Sequence, residues 1–483
     1  MREYFMKFVQ LTSLAIVTLA LVACGHSGNG ADYGVTIPGM GTASIAGTVY
    51  TGTVVVVDAA SNTEVRRIAS TGNGAGMNSF SMPLALGKSY KFYLIDNAGT
   101  ADERVYPLYQ GTANKFSVAT TNFLDFGFIS TTTGVAMPTN DITQIKGVAG
   151  DGEDKTFPDN LTASAFTGAD LQGNWQVLQL VCGKSSRWVH GSITMDAAGA
   201  SPSASYVSSL GSGTTPAATY VITPGGVVTV QGGLANIFSG VMARDKNMII
   251  GTSSPDAGNY ALVIMVKSGT AYAAADLQGN WRYNQLVAGA SPAWAHGDAK
   301  IDANGAVSVT NPASSAGLST AAPDTLTGNN LSVDPSGVVT APALPAFYGV
   351  LSADKELLFA VTTNSDSSPG LVIFTRVSGL TFSGDDLLGT WRANWLSATN
   401  STSGTSYWGR AFFNINSGNS YLQSILQSYG TSPDATITTA ITNENLVSFT
   451  NTDFSGIIVP GKNVVVGTMT NGDGNFALYT FIK

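Results

Sequence analysis

The sequence contains three histidines, the side chain that most often serves as a base or a metal ligand near neutral pH: His26, His190 and His296. His190 and His296 occupy the same place in two copies of a repeated motif, and Arg410 stands in that place in a third copy. Each repeat therefore has at most one imidazole, which does not favour a multi-histidine metal site or a Ser-His-Asp arrangement in every repeat. We expect no catalytic residue, no metal site and no cofactor, and we interpret the histidines as structural.

A tryptophan stands two residues before each of these three positions, and all seven tryptophans of the chain lie in the repeats. Their repeated positions favour a role in the cores. If they are exposed instead, aromatic rings beside imidazole or guanidinium groups could stack on a sugar or anchor a protein partner. The candidate binding residues are Trp188, His190, Trp294, His296, Trp408 and Arg410.

An unrecognised hydrolase would require a cleft that joins one of these histidines to an acid from another repeat. Asp196 and Asp302, eight residues beyond the tryptophans, precede small residues or Asn-Gly, so a turn-forming carboxylate is the better interpretation. We therefore expect a protein that is not an enzyme.

The N-terminus has the build of a secretory signal peptide. Arg2 and Lys7 precede an apolar run over residues 11–23, which is shorter than the roughly 20 residues that a membrane-spanning helix needs. The run ends at Cys24 and a glycine-rich stretch follows. The sequence thus predicts export and removal of the first 23 residues.

The tetrapeptide Leu21-Val22-Ala23-Cys24 resembles the lipobox of bacterial lipoproteins. The resemblance implies that diacylglycerol is attached to the Cys24 thiol, that cleavage occurs before it, and that the new amino terminus is acylated, as by palmitate. Several acyl chains hold a protein on a membrane where one would not. Gly25, in place of aspartate, implies sorting to the cell outer membrane, with the protein facing either the periplasm or the outside.

Composition limits the partners. The net charge is −8, with only 11% charged residues, so no basic face for nucleic acid is expected. There is no Cys-x-x-Cys-His, which excludes covalently attached haem. Cys182 is the only cysteine left after lipidation of Cys24, so no internal disulfide can form. Lys184 and Arg187 could activate its thiol, although a buried, idle thiol is the favoured interpretation.

Short Val/Ile/Tyr/Phe runs alternate with glycine and asparagine turns along the chain, which predicts an all-β protein. The motif Asp-Leu-x-Gly-x-Trp recurs at residues 170–175 and 276–281, and as Asp-Leu-Leu-Gly-Thr-Trp at 386–391, so a unit of 106 to 110 residues occurs three times. Units of this length are domains rather than solenoid repeats. We expect a signal peptide at 1–23, a flexible tether at 24–41, a β-sandwich at 42–135, a linker at 136–167, and repeats at 168–270, 271–380 and 381–483.

The first domain resembles the transthyretin-like, carboxypeptidase regulatory-like family, in the order Ile-x-Gly-x-Val at 45–49, Val-x-Val at 55–57, Phe-x-x-x-Leu at 80–84 and Gly-x-Ser-Tyr at 87–90. The resemblance implies a non-catalytic spacer or presenting module. The acidic groups at 151–154 and 158–160 in the linker could bind Ca²⁺, although a solvated acidic linker is the default interpretation.

Each repeat contains about eight short strands in meander order, and the opening Leu-x-Gly-x-Trp resembles lipocalin-like and avidin-like barrels, where the tryptophan closes one end. Closed barrels, sandwiches and blade-like sheets all fit. The last hairpin of each repeat, as at residues 248–250 with 261–266, is apolar on both faces. One face should enter its own core and the other should pack on a neighbouring module, so we expect a compact block of three modules.

Two functions follow from this organisation. The first is a lipid-anchored, non-enzymatic envelope protein whose three modules bind a protein or polysaccharide or take a structural role. The alternative is a carrier of an apolar small molecule inside the barrels. A carrier needs a cavity, whereas an interaction module should have filled barrels and an exposed apolar patch.

Overall fold

The structure is a computed structural model. It describes residues 42–49, 52–69, 78–96, 103–119, 123–131, 135–145, 147–154, 166–223, 225–231, 238–269, 271–315, 326–399, 405–415, 420–428, 430–431, 435–437, 439–441, 445–450 and 452–483. The signal peptide, the tether with Cys24, and His26 lie outside these residues. Residues 42–483 form one compact unit.

The first domain consists of two sheets, as expected for a sandwich. One sheet has the order β4-β1-β8-β9, and the other has the order β10-β7-β5-β2-β3 with β6 paired to β5. The strands are β1 (Thr42–Val49), β2 (Thr53–Asp58), β3 (Thr63–Ala69), β4 (Asn78–Ala85), β5 (Lys88–Asp96), β6 (Arg104–Pro107), β7 (Lys115–Val118), β8 (Phe123–Ser130), β9 (Met137–Pro138) and β10 (Val148–Gly150). A 3₁₀ turn spans Ile142–Gln144.

The sandwich extends beyond residue 135, into the stretch expected to be a linker. β9 pairs with β8, β10 pairs with β7, and Ile142 between them is fully buried. Asp151 and Asp154 form ion pairs with Lys115 and Lys91 at 3.6 and 3.3 Å. The apolar side chains of this otherwise polar stretch are buried where its short strands pair with the edges of the two sheets. Residues 136–154 therefore belong with the sandwich. Residues 155–165, with the second acidic group, lie outside the described part.

Module 1 (residues 166–269) begins with a one-turn α-helix, Gly168–Leu171, and continues as one antiparallel sheet of ten strands. The order is β13-β16-β17-β18-β19-β20-β11-β12-β14-β15, so the first long strand pairs with the last. The strands are β11 (Gly173–Gly183), β12 (Arg187–Met195), β13 (Ala200–Ser201), β14 (Ala204–Ser208), β15 (Gly211–Thr215), β16 (Ala218–Ile222), β17 (Val227–Gln231), β18 (Phe238–Met242), β19 (Met248–Asp256) and β20 (Asn259–Lys267).

Module 2 (residues 271–377) begins with a 3₁₀ turn, Ala274–Asp276, and has the eight strands expected, in the order β23-β22-β21-β28-β27-β26-β25-β24. Isolated bridges from Ala306 to Asn330 and from Val307 to Thr327 link the two ends of this curled sheet. The strands are β21 (Gly279–Val287), β22 (Ala293–Ile301), β23 (Val307–Ser314), β24 (Ser332–Val333), β25 (Val338–Thr340), β26 (Tyr348–Leu351), β27 (Leu357–Thr363) and β28 (Pro369–Arg376).

Module 3 (residues 381–483) begins with a 3₁₀ turn, Gly384–Leu387, and has the order β32-β31-β30-β29-β38-β37-β36-β35-β34, with β33 paired to β31. The strands are β29 (Gly389–Ala398), β30 (Tyr407–Ile415), β31 (Ser420–Gln427), β32 (Gly430–Thr431), β33 (Ala435–Ile437), β34 (Thr439–Ile441), β35 (Leu446–Phe449), β36 (Ser455–Ile458), β37 (Val464–Thr470) and β38 (Phe476–Ile482). All three modules are thus meanders whose first and last long strands pair, which confirms the expected all-β class.

The last hairpin of each module is buried on both faces, as its apolar sequence predicts. In module 2, Leu358 and Ala360 of β27 enter the module's own core. Leu357, Phe359 and Val361, which point to the opposite face, enter a cluster shared by all three modules. We call this shared cluster the central core.

The central core draws alternate residues from the same strands of each module, fully or almost fully buried. Its members on the last two strands are Met248, Ile250, Leu262, Ile264 and Val266 from module 1, Leu357, Phe359, Val361, Leu371 and Ile373 from module 2, and Val464, Val466, Leu478 and Ile482 from module 3. The expected block of three modules is therefore confirmed. The first domain joins this block through module 3, since buried side chains of both form one cluster.

Because each module contributes one face of its last hairpin to the central core, we expect the three modules in residues 42–483 to unfold together. Phe359→Ala should lower the whole transition, since truncating a buried phenylalanine costs about 3–5 kcal/mol. Differential scanning calorimetry measures this as one shifted peak.

The matched control is Thr310→Ala, at an exposed site on β23, which should leave the peak in place. Separate transitions for the modules, with only one of them moved by Phe359→Ala, would contradict the role of the central core.

Candidate binding site

The candidate residues lie on the second long strand of each module. Trp188 and His190 are on β12, Trp294 and His296 on β22, and Trp408 and Arg410 on β30. Residues two apart on a strand share a face, so each pair points the same way.

The three tryptophans join the modules in a cycle. Trp188 of module 1 donates from Nε1 to the Thr363 hydroxyl of module 2 at 2.7 Å, and Trp294 of module 2 donates to the Thr470 hydroxyl of module 3 at 3.0 Å. The third bond closes the cycle.

Trp408 of module 3 donates to the Ser254 hydroxyl of module 1 at 2.9 Å. The three acceptors are equivalent, because each lies six residues beyond the first residue of β19, β27 or β37. One head-to-tail contact repeated until it closes is how cyclic assemblies are built. Here the assembly lies within a single chain.

These tryptophans are not exposed. Trp188, Trp294 and Trp408 have exposed fractions of 6%, 8% and 8%. The condition under which they would stack on a sugar or anchor a protein partner is not met, since their rings are buried between modules. We therefore correct the interpretation of these three tryptophans from binding residues to contacts between modules.

His190 lies between two aromatic rings. The imidazole stacks on Tyr348 of module 2, with centroids 3.8 Å apart, and on Trp188 at 5.6 Å. Burial lowers the pKa of His190 from 6.5 to about 4, so the ring is neutral at pH 7. Its edge also borders a cavity of module 1.

His296 stacks on Trp294 at 5.2 Å, and its Nδ1 lies 3.3 Å from the Thr468 hydroxyl of module 3. The pKa of His296 is lowered to about 4, mainly by burial and then by the nearby Arg282 guanidinium. In the described part of the chain, no carboxylate hydrogen-bonds to either of these imidazoles. Neutral rings without an acid partner give no support to the hydrolase hypothesis.

Asp196 and Asp302 form turns, as their sequence context predicts. Asp196 accepts from the backbone N–H groups of Ala198 and Ala200 at 2.9 and 2.8 Å. Asp302 accepts in the same way from Asn304 and Ala306 at 2.8 and 2.9 Å. Their carboxylates are used in the hairpins.

The opening tryptophan of each module is buried. Its Nε1 donates to the carbonyl of the leucine four residues earlier, at 2.7 to 2.9 Å. The motif aspartate pairs with a hairpin lysine at 2.8 to 2.9 Å. In order of tryptophan, leucine, aspartate and lysine, these residues are Trp175, Leu171, Asp170 and Lys246; Trp281, Leu277, Asp276 and Lys355; and Trp391, Leu387, Asp386 and Lys462.

Module 1 contains a cavity of about 300 Å³, which is lined by residues of its sheet and is partly open to solvent. Apolar and aromatic side chains form most of its wall, including Val177, Ile193, Tyr220, Phe238 and Met265. Its polar wall residues include Gln179, which donates to the Ser253 hydroxyl at 3.3 Å. Exposed Ser205, Thr215 and Pro216 mark the end that opens to solvent.

A cross-strand pair explains why module 1 has this space. Val177 on β11 lies opposite Met265 on β20. The equivalent pair of module 2 is Tyr283 and Phe374, whose fully buried rings lie 6.2 Å apart and fill the core. Smaller side chains at the same two positions leave room in module 1.

Module 3 has Ala393 opposite Phe481 at these positions and a cavity of about 220 Å³. Unlike the module 1 cavity, it contains a polar network: Asn471 donates to the Tyr407 hydroxyl at 2.9 Å and accepts from the Tyr479 hydroxyl at 2.7 Å.

Sequence reasoning missed Val177 and Met265. A signal was present, because the position two residues after the opening tryptophan reads Val177, Tyr283 and Ala393 in the three repeats. The size of the side chain at this position thus distinguishes the modules. It predicts a cavity only when the residue opposite it on the neighbouring strand is also known.

Cys182 is fully buried in the central core. Burial raises the pKa of its thiol, so the thiolate that would react is disfavoured. Among the two interpretations of this cysteine, the structure therefore favours the idle thiol.

Comparisons with known proteins find no matching family model and no matching curated protein. Among solved structures, a variant of transferrin binding protein B from Haemophilus parasuis aligns at 10% identity over 64% of this chain and 75% of that chain, with a TM-score of 0.21. Transferrin binding protein B from serogroup B Neisseria meningitidis aligns at 10% identity over 61% and 65%, with a TM-score of 0.21.

A protein of unknown function of the DUF3598 family from Nostoc punctiforme aligns at 12% identity over 43% of this chain and 96% of that chain, with a TM-score of 0.17. Similarity at this level assigns no family. Among the described residues, the structure has no helix with the length and apolar character needed to cross a membrane.

The buried histidines predict a pH dependence. In the unfolded chain, His190 and His296 take up protons near pH 6.5, whereas in the folded chain they do so only near pH 4. Their contribution to stability is therefore complete above pH 6.5 and is lost as the pH falls towards 4. The melting temperature of residues 42–483 should fall over this interval.

The control is the double variant His190→Gln/His296→Gln, whose melting temperature should change less between pH 6.5 and 4. The pKa of Asp276, held down by its hydrogen bond with Lys355, lies below 3.8, so this ion pair is lost at lower pH. An unchanged slope in the double variant would contradict the assignment to the histidines.

Proposed function

We propose that this protein is a lipid-anchored, non-enzymatic binding protein of the bacterial cell envelope, and that module 1 takes up an apolar small molecule. The observation that carries the proposal is the module 1 cavity. Its volume of about 300 Å³ is within the range of small-molecule sites, and its wall is mainly apolar with few polar groups.

The charge state of the cavity supports an uncharged or apolar occupant. His190 at its border is neutral at pH 7, and neither Gln179 nor Ser253 carries a charge. Burying an ionised group without a partner costs several kcal/mol or more, whereas apolar surface gains about 25 cal/mol per Å² removed from water. The cavity therefore favours apolar ligands.

A protein or polysaccharide partner is the second candidate, as the repeated modules first suggested. The large apolar side chains that are exposed in the described part are dispersed over different domains rather than gathered in one patch: Val65, Met137, Val207, Leu210, Val377 and Leu380. Val207 and Leu210 are near each other on the β14–β15 hairpin, and Val377 and Leu380 lie three residues apart after β28. A cavity in place of a broad patch favours the carrier.

The test is fluorescence titration of residues 42–483 with N-phenyl-1-naphthylamine, an apolar dye that brightens on leaving water. Val177→Tyr places in module 1 the residue that fills module 2. We expect it to weaken dye binding at least tenfold, because the ring occupies the ligand's volume.

The matched control is Val207→Ser/Leu210→Ser, which removes exposed apolar groups near the cavity but outside its wall. This variant should bind dye like the parent. Loss of binding in the control, with binding retained in Val177→Tyr, would indicate surface adsorption and reject the carrier function.

The anchor has its own test. Cells grown with an alkyne-tagged fatty acid should incorporate the tag into this protein, and Cys24→Ala should abolish incorporation because the acceptor thiol is lost. Cys182→Ala should leave it unchanged. Labelling that persists in Cys24→Ala would reject the anchor.

A further inference from the structure

The three contacts between modules share the same tryptophan hydrogen bond, but different side chains occupy the space beside it. Between modules 1 and 2, the ring of Tyr348 stacks on His190 at 3.8 Å. The Tyr348 hydroxyl donates to the Gln176 side-chain oxygen of module 1 at 2.8 Å. An aromatic side chain therefore occupies this contact.

Between modules 2 and 3, Ser455 stands in the place of Tyr348. Arg282 of module 2, which is equivalent to Gln176, donates to the Ser455 hydroxyl at 3.2 Å. Its guanidinium also pairs with Asp298 on the neighbouring strand at 3.3 Å. A carboxylate of the protein thus balances the positive charge in this contact.

The contact between modules 3 and 1 has no tyrosine at this position. Ser239 of module 1 stands in the place of Tyr348, and a cavity of about 270 Å³ lies beside it. Among the described residues of its wall are two guanidinium groups, those of Arg392 and Arg410, and no acidic side chain. Phe412 lies opposite Arg392, where module 2 has Asp298.

Two hydrogen-bond donors, on side chains that belong to the wall, are buried and have no partner in the described structure. They are Nε of Arg410 and the side-chain nitrogen Nδ2 of Asn394, a residue only 1% exposed. A buried donor without a partner costs about 1–3 kcal/mol, which a ligand that accepts from it recovers. Both donors are supplied by neighbouring strands of module 3, β29 and β30.

Arg410 is held in place and stays charged. Its guanidinium lies 4.4 Å from the centre of the Trp408 ring, and Nε1 of that ring donates a hydrogen bond to the Ser254 hydroxyl. Burial lowers the pKa of Arg410 to about 10, which leaves the group protonated at pH 7. The cavity therefore presents a fixed positive charge with donors beside it.

We propose that this cavity binds a small organic carboxylate. The carboxylate accepts from Arg410 and Asn394. The apolar part of the ligand lies against Val227, Val241 and Phe412, which complete the wall. The site differs from the module 1 cavity in charge and in the modules that form it, so either can exist without the other.

The test is isothermal titration calorimetry of the full chain in nonionic detergent, with benzoate as the probe. Benzoate should bind, and benzamide, its uncharged counterpart, should bind at least tenfold more weakly. Ser239→Tyr restores the residue that fills the first contact and should weaken benzoate binding at least tenfold. Asn394→Leu, which removes one donor at similar volume, should also weaken it.

The matched control is Ser455→Tyr, the same substitution in the contact between modules 2 and 3, where it should leave benzoate binding unchanged. Dye binding in module 1 should be normal in Ser239→Tyr, which separates this site from the carrier function. Equal binding of benzoate and benzamide, binding of phosphate in place of benzoate, or undiminished binding in both Ser239→Tyr and Asn394→Leu would overturn the proposal.

Discussion

Apolar packing in the central core holds the three modules in one arrangement. Each module contributes alternate residues of its last two strands, such as Leu357 and Phe359, while Leu358 between them fills the module's own core. A strand buried on both faces cannot slip by one residue without exchanging the two cores. The hairpins therefore fix both the interior of each module and its position against the others. The hydrogen bonds from Trp188 and its two equivalents orient a contact that is stabilised mainly by the hydrophobic effect.

The parts of this structure that the sequence predicts are those set by local pattern. Apolar residues in unbroken runs, as at 371–374, indicate burial on two faces, and that prediction is confirmed. The turn role of Asp302 follows from residue types at short spacing. These features need no knowledge of distant contacts.

The candidate site was less predictable, because it depends on which residues meet across strands and across modules. Trp188 looks the same in sequence whether it faces solvent or Thr363 of the next module, 175 residues away. The repeat alignment shows that Val177 is smaller than Tyr283, but the cavity arises only because Met265, opposite it, is also smaller than Phe374. Pairing over such separations is a property of the folded chain.

The cyclic contact within one polypeptide has a consequence for how these surfaces can diverge. In a symmetric homotrimer, a substitution at one contact appears at all three, so every contact must tolerate it at once. Joining three copies in tandem removes that restriction. Tyr348, Ser455 and Ser239 show the result, since one position has become a stacked ring, an arginine partner and the rim of a cavity. Two contacts can keep the assembly closed while the third is free to acquire chemistry that symmetry would have forbidden.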